Sequence, residues 1–84
     1  MWTLVHILKD INLSGAKLKN LSIVNSDLSG ADLSGADLSV TEIISTNLSG
    51  AILKEAILKE VFLSDVDLTY ADLTGSDLTG IMME

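Results

Sequence analysis

A five-residue period runs through this chain of 84 residues and constrains its fold more than any other feature. Every fifth residue from Leu8 to Met83 is apolar, and these sixteen centre positions hold thirteen Leu, two Ile and one Met. The residue two places before a centre is Ala, Ser, Thr or Val in twelve of the sixteen cases, and all six glycines lie two places after a centre. The period continues from His6 to Glu84 without an insertion, so every repeat makes the same structural demand.

Neither an α-helix nor a flat strand can bury a period of five. Five residues turn a helix by about 140°, so the leucines would spiral around all of its sides. In a flat strand the centres would alternate between the two faces, because five is odd. A chain that bends once per repeat avoids both problems, with Gly or the turn-tolerant Asn20, Asn25 and Asp65 at the corners. The sequence therefore predicts a solenoid with leucine inside.

The repeats resemble the A-(D/N)-L-x-x pattern of the pentapeptide-repeat family. "ADLSG" (31–35), "ADLSV" (36–40) and "ADLTG" (71–75) match this pattern outright, and the resemblance covers nearly all of the chain after Val5. It implies an all-β fold, a right-handed quadrilateral β-helix in which four repeats form one coil. The sixteen repeats would then make about four coils.

Residues twenty positions apart support four repeats per coil. At the small inward position, Ala gathers on two faces and larger residues gather on a third, the face of Leu21, Thr41, Val61 and Ile81. We therefore expect residues 1–84 to form a single pentapeptide-repeat domain, with residues 1–5, which include the sole Trp, as a candidate cap over the first coil. The predicted structural core is formed by centre leucines, namely Leu28, Leu33, Leu38, Leu48, Leu53, Leu58, Leu68, Leu73 and Leu78.

Groups that could perform chemistry are scarce. The sole histidine, His6, takes an inward position in the first repeat, and the serines have no other histidine to act as a base. The aspartates that precede a centre belong to the repeat, do not match known calcium loops, and are explained by solvation and local hydrogen bonds (Asp27, Asp32, Asp37, Asp67, Asp72 and Asp77). We expect no enzyme activity, no catalytic residue, no cofactor and no metal.

One face differs from the others in its outward residues. Val24, Ile44, Phe62 and Met82 are apolar there, and Met83 follows at the C-terminal end, so these five residues are a candidate protein contact. The last coil of a β-helix would also expose an unpaired strand edge together with the rim of its core. A homodimer through the C-terminal coil would cover both, since a two-fold contact closes on itself.

Charge and length limit the remaining functions. A net charge of −7 argues against direct binding to nucleic acid or to an anionic membrane and allows a basic protein partner. No apolar segment is long enough to span a bilayer, and the N-terminus is a poor signal peptide, so a cytoplasmic location is expected. The leading hypothesis is a non-enzymatic structural or protein-interaction module. The alternative is an acidic DNA-mimicking inhibitor of a type II topoisomerase such as DNA gyrase, although a stack of about 19 Å matches only about 6 base pairs.

Overall fold

Five short parallel strands form one sheet along one side of the molecule. The computed structural model describes residues 2–4 and 6–84, with the side chains of Trp2 and Leu4 outside the described part. The sheet has the order β1-β2-β3-β4-β5. Its strands are β1 (Trp2–Leu4), β2 (Leu21–Val24), β3 (Glu42–Asn47), β4 (Phe62–Asp67) and β5 (Met82–Met83). Strands that follow one another in sequence are neighbours in the sheet. The chain therefore makes one turn around the molecule between each strand and the next.

One turn takes twenty residues and passes three further faces. Ser22 pairs with Glu42, Glu42 with Phe62, and Phe62 with Met82. The other faces are held by isolated parallel bridges with the same spacing, such as Asn12 to Asp32 and Asp32 to Ile52. The result is the right-handed quadrilateral β-helix expected from the sequence.

The first strand departs from this spacing. Trp2 pairs with Leu21 and Leu4 with Ile23, an offset of nineteen residues instead of twenty. The backbone of residues 2–4, part of the segment predicted as a candidate cap, therefore lies in the sheet as a further strand beside β2. Met1, Val5 and the Trp2 side chain, which belong to that expected cap, lie outside the described part of the chain.

A residue with positive φ stands at every corner. All fifteen residues numbered in steps of five from 10 to 80 have φ between 48° and 72°. At eleven corners a turn bond leads back to the centre, as from the Ala31 N–H to the Leu28 carbonyl at 3.0 Å, which with positive φ at the third residue is a type II turn. Glycine suits this position, but Val40 also occupies it with φ 59°, where a β-branched side chain is strained.

The corner of each coil at residue 25, 45 or 65 is built differently. β3 and β4 run through it, and two buried hydroxyls support it. Ser26 Oγ donates to the Val24 carbonyl at 2.9 Å, and Thr46 Oγ1 donates to the Ile44 carbonyl at 3.0 Å. The Ser26 N–H in turn donates to Thr46 Oγ1 at 3.4 Å. These bonds account for the polar residues Ser26 and Thr46 at the inward position of this face, where the next coil has Val66.

Burial of the centre residues falls towards the C-terminal coil. Leu28, Leu33, Leu38, Leu48, Leu53 and Leu58 are buried, whereas Leu68 and Leu73 are half-buried. Leu78, which the sequence places in the core, is 42% exposed. His6 is also exposed, contrary to its expected inward position, since it belongs to the first coil.

Candidate functional site

The apolar residues of the main sheet face fall into two columns. Val24 pairs with Ile44 in one column, and Phe62 pairs with Met82 in the other. The columns are completed by polar residues, since Ile44 pairs with Ser64 and Phe62 with Glu42. The apolar groups therefore cross the face diagonally from Val24 to Met82.

Exposure within this patch rises towards its C-terminal end. Val24, Ile44 and Phe62 are half-buried, whereas Met82 is 54% exposed. Met83 occupies a centre position at the rim of the core and is 69% exposed. Met82, Met83 and Leu78 are thus exposed apolar side chains at the C-terminal end of the stack. Leu78 was missed as a surface residue because every centre looks alike in the sequence, and its level in the stack decides its exposure.

The backbone of the fourth coil forms an open edge around this apolar rim. One coil earlier, the N–H groups of Leu48, Leu53 and Leu58 donate to the backbone carbonyls of Asp67, Asp72 and Asp77 at 2.7–2.8 Å. Residues between them do the same, as from Glu55 to the Thr74 carbonyl at 2.9 Å. Within the described residues, the equivalent N–H groups of the fourth coil have no acceptor beneath them; they belong to Leu68, Tyr70, Leu73, Gly75, Leu78 and Gly80.

The repeat aspartates accept local hydrogen bonds that stabilise the corners. Ser34 donates both its hydroxyl and its N–H to Asp32 Oδ1, at 2.7 and 3.0 Å, and the other five repeat aspartates bind the Ser or Thr two places on in the same way. The hydroxyl bond, followed by the backbone bond, lowers the pKa of each of these carboxyls, because both donors favour the charged form. Asn12 makes the same contacts to Ser14 without a charge. The contacts are therefore local turn structure.

The described surface carries few features of a metal site or of a DNA mimic. Residues 2–4 and 6–84 contain no group of three or more His, Cys, Asp or Glu side chains that could hold a metal ion. Lys54 Nζ lies 3.7 Å from Asp72 Oδ2, and Lys59 Nζ lies 3.7 Å from Asp77 Oδ2. These ion pairs offset part of the acidic charge. The described part of the chain also contains no helix, and hence none that could span a membrane.

The fold and its surfaces define a β-solenoid repeat protein. The family model for pentapeptide repeats (8 copies) matches residues 7–41 and 46–81. The chain belongs to the pentapeptide-repeat family. Proteins of this family are generally structural modules and not enzymes.

Solved structures agree with this assignment. The pentapeptide-repeat protein Rfr23 from the cyanobacterium Cyanothece 51142 is 29% identical with a TM-score of 0.58, and the match covers 98% of this chain and 63% of that one. HetL from Nostoc sp. strain PCC 7120, a pentapeptide-repeat protein involved in heterocyst differentiation regulation, is 32% identical with a TM-score of 0.57, over 92% of this chain and 40% of HetL.

A third neighbour has a length closer to that of this chain. It is alr5209, a pentapeptide-repeat protein from Nostoc PCC 7120, which is 29% identical with a TM-score of 0.52, over 93% of this chain and 84% of its own. The chain thus spans less than two thirds of the first two neighbours and most of the third. These cyanobacterial neighbours fit a bacterial origin. No curated protein sequence matches the chain.

Proposed function

We propose that this β-helix is a non-enzymatic interaction module that associates with a second copy of itself through the C-terminal coil. The observation that carries the proposal is that two features meet at the C-terminal coil, namely backbone N–H groups without an acceptor and exposed apolar side chains. Among the described residues, N–H groups such as those of Leu68 and Leu73 have no acceptor between coils, and the side chains of Leu78 and Met83 are exposed in the same coil. An unpaired strand edge of this kind favours pairing with another edge.

A two-fold contact suits this edge better than a stack of copies in one direction. It brings the same edge of both molecules together and closes the assembly, whereas a head-to-tail contact would continue into a fibre. Met82 and, next to it on the patch, Phe62 would extend the contact onto the side of the dimer. The remaining contact candidates, Val24 and Ile44, lie further from this end and are half-buried, so we assign them a smaller part.

The geometry weighs against DNA mimicry. The molecule measures 27 × 23 × 22 Å, so a single copy does not form an extended rod. Its Asp columns are interrupted by Ile52 and Ile57, which are 38% and 36% exposed. No direct contact with nucleic acid or membrane is part of the proposal. A basic protein partner is compatible with the acidic surface, and the cytoplasmic location expected from the sequence can be checked by cell fractionation.

Sedimentation of the 84-residue chain tests the dimer. We expect a dimer at tens of micromolar, and we expect Met83→Lys to shift it towards monomer because two lysines would meet across the two-fold axis. Phe62→Ser should weaken the dimer less, since Phe62 lies beside the rim. Ile7→Lys is the matched control, because Ile7 is exposed on the first coil at the opposite end.

The result can contradict the proposal in two ways. A wild type that sediments as a monomer would remove the dimer. A dimer that Met83→Lys leaves intact, or that Ile7→Lys disrupts equally, would place the contact elsewhere. A gyrase supercoiling assay on the same samples should show no inhibition.

A further inference from the structure

Two consecutive repeats, both "AILKE" (51–55 and 56–60), depart from the pattern of the others. Ile52 and Ile57 stand where the coils on either side carry Asp, and they are 38% and 36% exposed. These repeats therefore lack the hydroxyl-to-carboxylate bond that holds the turns of the neighbouring coils. Their corner residue is Glu with positive φ, a conformation that Gly adopts more easily. Exposed aliphatic groups that replace a favourable local pattern are typical of a contact surface.

Ile52 lies between two aspartates on the side of the β-helix. Parallel bridges pair Asp32 with Ile52 and Ile52 with Asp72. The three outward side chains therefore follow one another along the helix axis, about 4.8 Å apart. We call Asp32, Ile52 and Asp72 the Ile52 column. It presents one exposed aliphatic group with a carboxylate on either side.

Each carboxylate of the column uses one oxygen for its own turn. Asp32 Oδ1 accepts from Ser34, and Asp72 Oδ1 accepts from Thr74. These hydrogen bonds fix both carboxylates and lower the pKa of each, so both are charged at neutral pH. Asp32 Oδ2 has no partner among the described residues, and Asp72 Oδ2 has only Lys54 Nζ at 3.7 Å, an exposed pair that contributes little. The second oxygens are therefore available to cations of a partner.

The equivalent column around Ile57 is less acidic. Lys17 pairs with Asp37 there, whereas the matching partner of Asp32 is the uncharged Asn12. Hydrogen bonds from the serine two places on lower the pKa of both aspartates first, but only at Asp37 do nearby lysines lower it further. A basic partner is therefore attracted more strongly to the Ile52 column.

We propose that the Ile52 column binds an amphipathic helix of another protein, with Arg or Lys at positions i and i+7 and a bulky aliphatic residue at i+3. On one side of an α-helix these residues advance by about 4.5 and 10.5 Å, which matches column spacings of about 4.8 and 9.6 Å. Same-side residues of a partner strand would be about 6.8 Å apart and would not match. The cations reach the second carboxylate oxygens, and the aliphatic residue covers Ile52. This surface goes beyond the proposed dimer and does not depend on it.

A designed peptide tests the docking. The probe is a synthetic alanine-based helix of about 18 residues that carries Arg-x-x-Leu-x-x-x-Arg once. It is titrated into the isotope-labelled 84-residue chain while amide and methyl resonances are followed by NMR. We expect saturable shifts at the Ile52 column, weaker binding as salt rises, and little change around Ile57. A peptide of the same composition with Leu on the opposite side of the helix should bind about tenfold more weakly.

Ile52→Asp separates docking from attraction by charge alone. The change restores the residue that the repeat pattern prefers, so the fold should be kept, and it adds a negative charge. Attraction by charge alone would then strengthen binding of the peptide, whereas contact with Ile52 predicts a loss of about tenfold. Ile57→Asp is the matched control, since it makes the same change in the neighbouring repeat, and it should alter the affinity by less than about twofold.

Asp32→Asn tests the charge itself. Asn12 makes the same turn bonds to Ser14 without a charge, so Asn should keep the turn at position 32. Loss of one exposed ion pair with the peptide should weaken binding by roughly two- to fivefold.

Several results would overturn the proposal. They are tighter binding of the peptide to Ile52→Asp, equal binding of the two peptides, shifts centred on the Ile57 column or spread over all acidic faces, and the absence of saturable binding. The spectra of the free variants show whether each one is folded. Sedimentation of the same samples reports the dimer separately, so loss of one property can be told from loss of the other.

Discussion

Truncation of Leu53 to Ala tests the inward winding of the repeats directly. Leu53 is 2% exposed in the middle of its ladder, between Leu33 and Leu73. The change removes three carbons, which at about 0.8 kcal/mol each amounts to roughly 2.4 kcal/mol of lost burial. The ladders between coils prevent collapse around the gap, so a cavity term adds to this, and we expect a total of about 3–4 kcal/mol.

Leu78→Ala is the matched control, because it makes the same change at the same position of the repeat, five repeats later. Leu78 is 42% exposed at the open end, so the expected loss is about 1 kcal/mol, with no closed cavity left behind. Urea unfolding followed by circular dichroism measures both variants, and at a typical m-value of about 1.5 kcal/mol/M the Leu53 variant should lose roughly 2 M in its midpoint. A loss below ~1 kcal/mol for Leu53→Ala, or equal losses for both variants, would mean that Leu53 is not interior.

Three further predictions concern the corners and the aspartates. Val40→Asn should stabilise the fold by about 1 kcal/mol in urea unfolding, because asparagine tolerates positive φ better than a β-branched residue, and an unchanged midpoint would contradict the strain. Asp32→Asn should stay close to wild type at neutral pH but lose less stability on acidification: the pKa of Asp32 in the fold lies below its ordinary value of 3.8, so its contribution is complete above that value and is lost as the pH falls through the lowered pKa. Asp32→Ala, which cannot accept the Ser34 bonds, should be destabilised at neutral pH, and equal behaviour of the two variants would refute the turn role. Finally, the melting temperature should be unaffected by EDTA, and a drop of several degrees would reveal a structural metal.

Much of the fold could be predicted from residue spacing alone. The unbroken series of centres from Leu8 to Met83 requires a bend in every repeat, and the stacking of Ala31, Ala51 and Ala71 indicates four repeats per coil. The local role of Asp32 was also within reach, because an Asp two residues before Ser or Thr at a turn is a common local hydrogen-bonding pattern. These features are determined within one repeat or between equivalent repeats, so a periodic sequence displays them directly.

Other features depend on where a repeat lies in the stack. Leu33 and Leu78 occupy the same position in their repeats, yet only Leu33 is buried, because burial requires a coil on both sides. The nineteen-residue offset of β1 arises before the period begins and has no signal within the repeats. The buried hydroxyls of Ser26 and Thr46 stabilise the corner beside the main sheet, and this role depends on their place in the coil.

The sequence by itself therefore determined the bend, the inward leucines and the local turn bonds, since each is a property of five residues. The tertiary structure decided the pairing between coils and the exposure of Leu78 and Met83. The physical reason is that strand pairing and burial are relations between coils. A coil pairs and buries its residues fully only when it has neighbours above and below, as the buried Leu33 and Leu53 have.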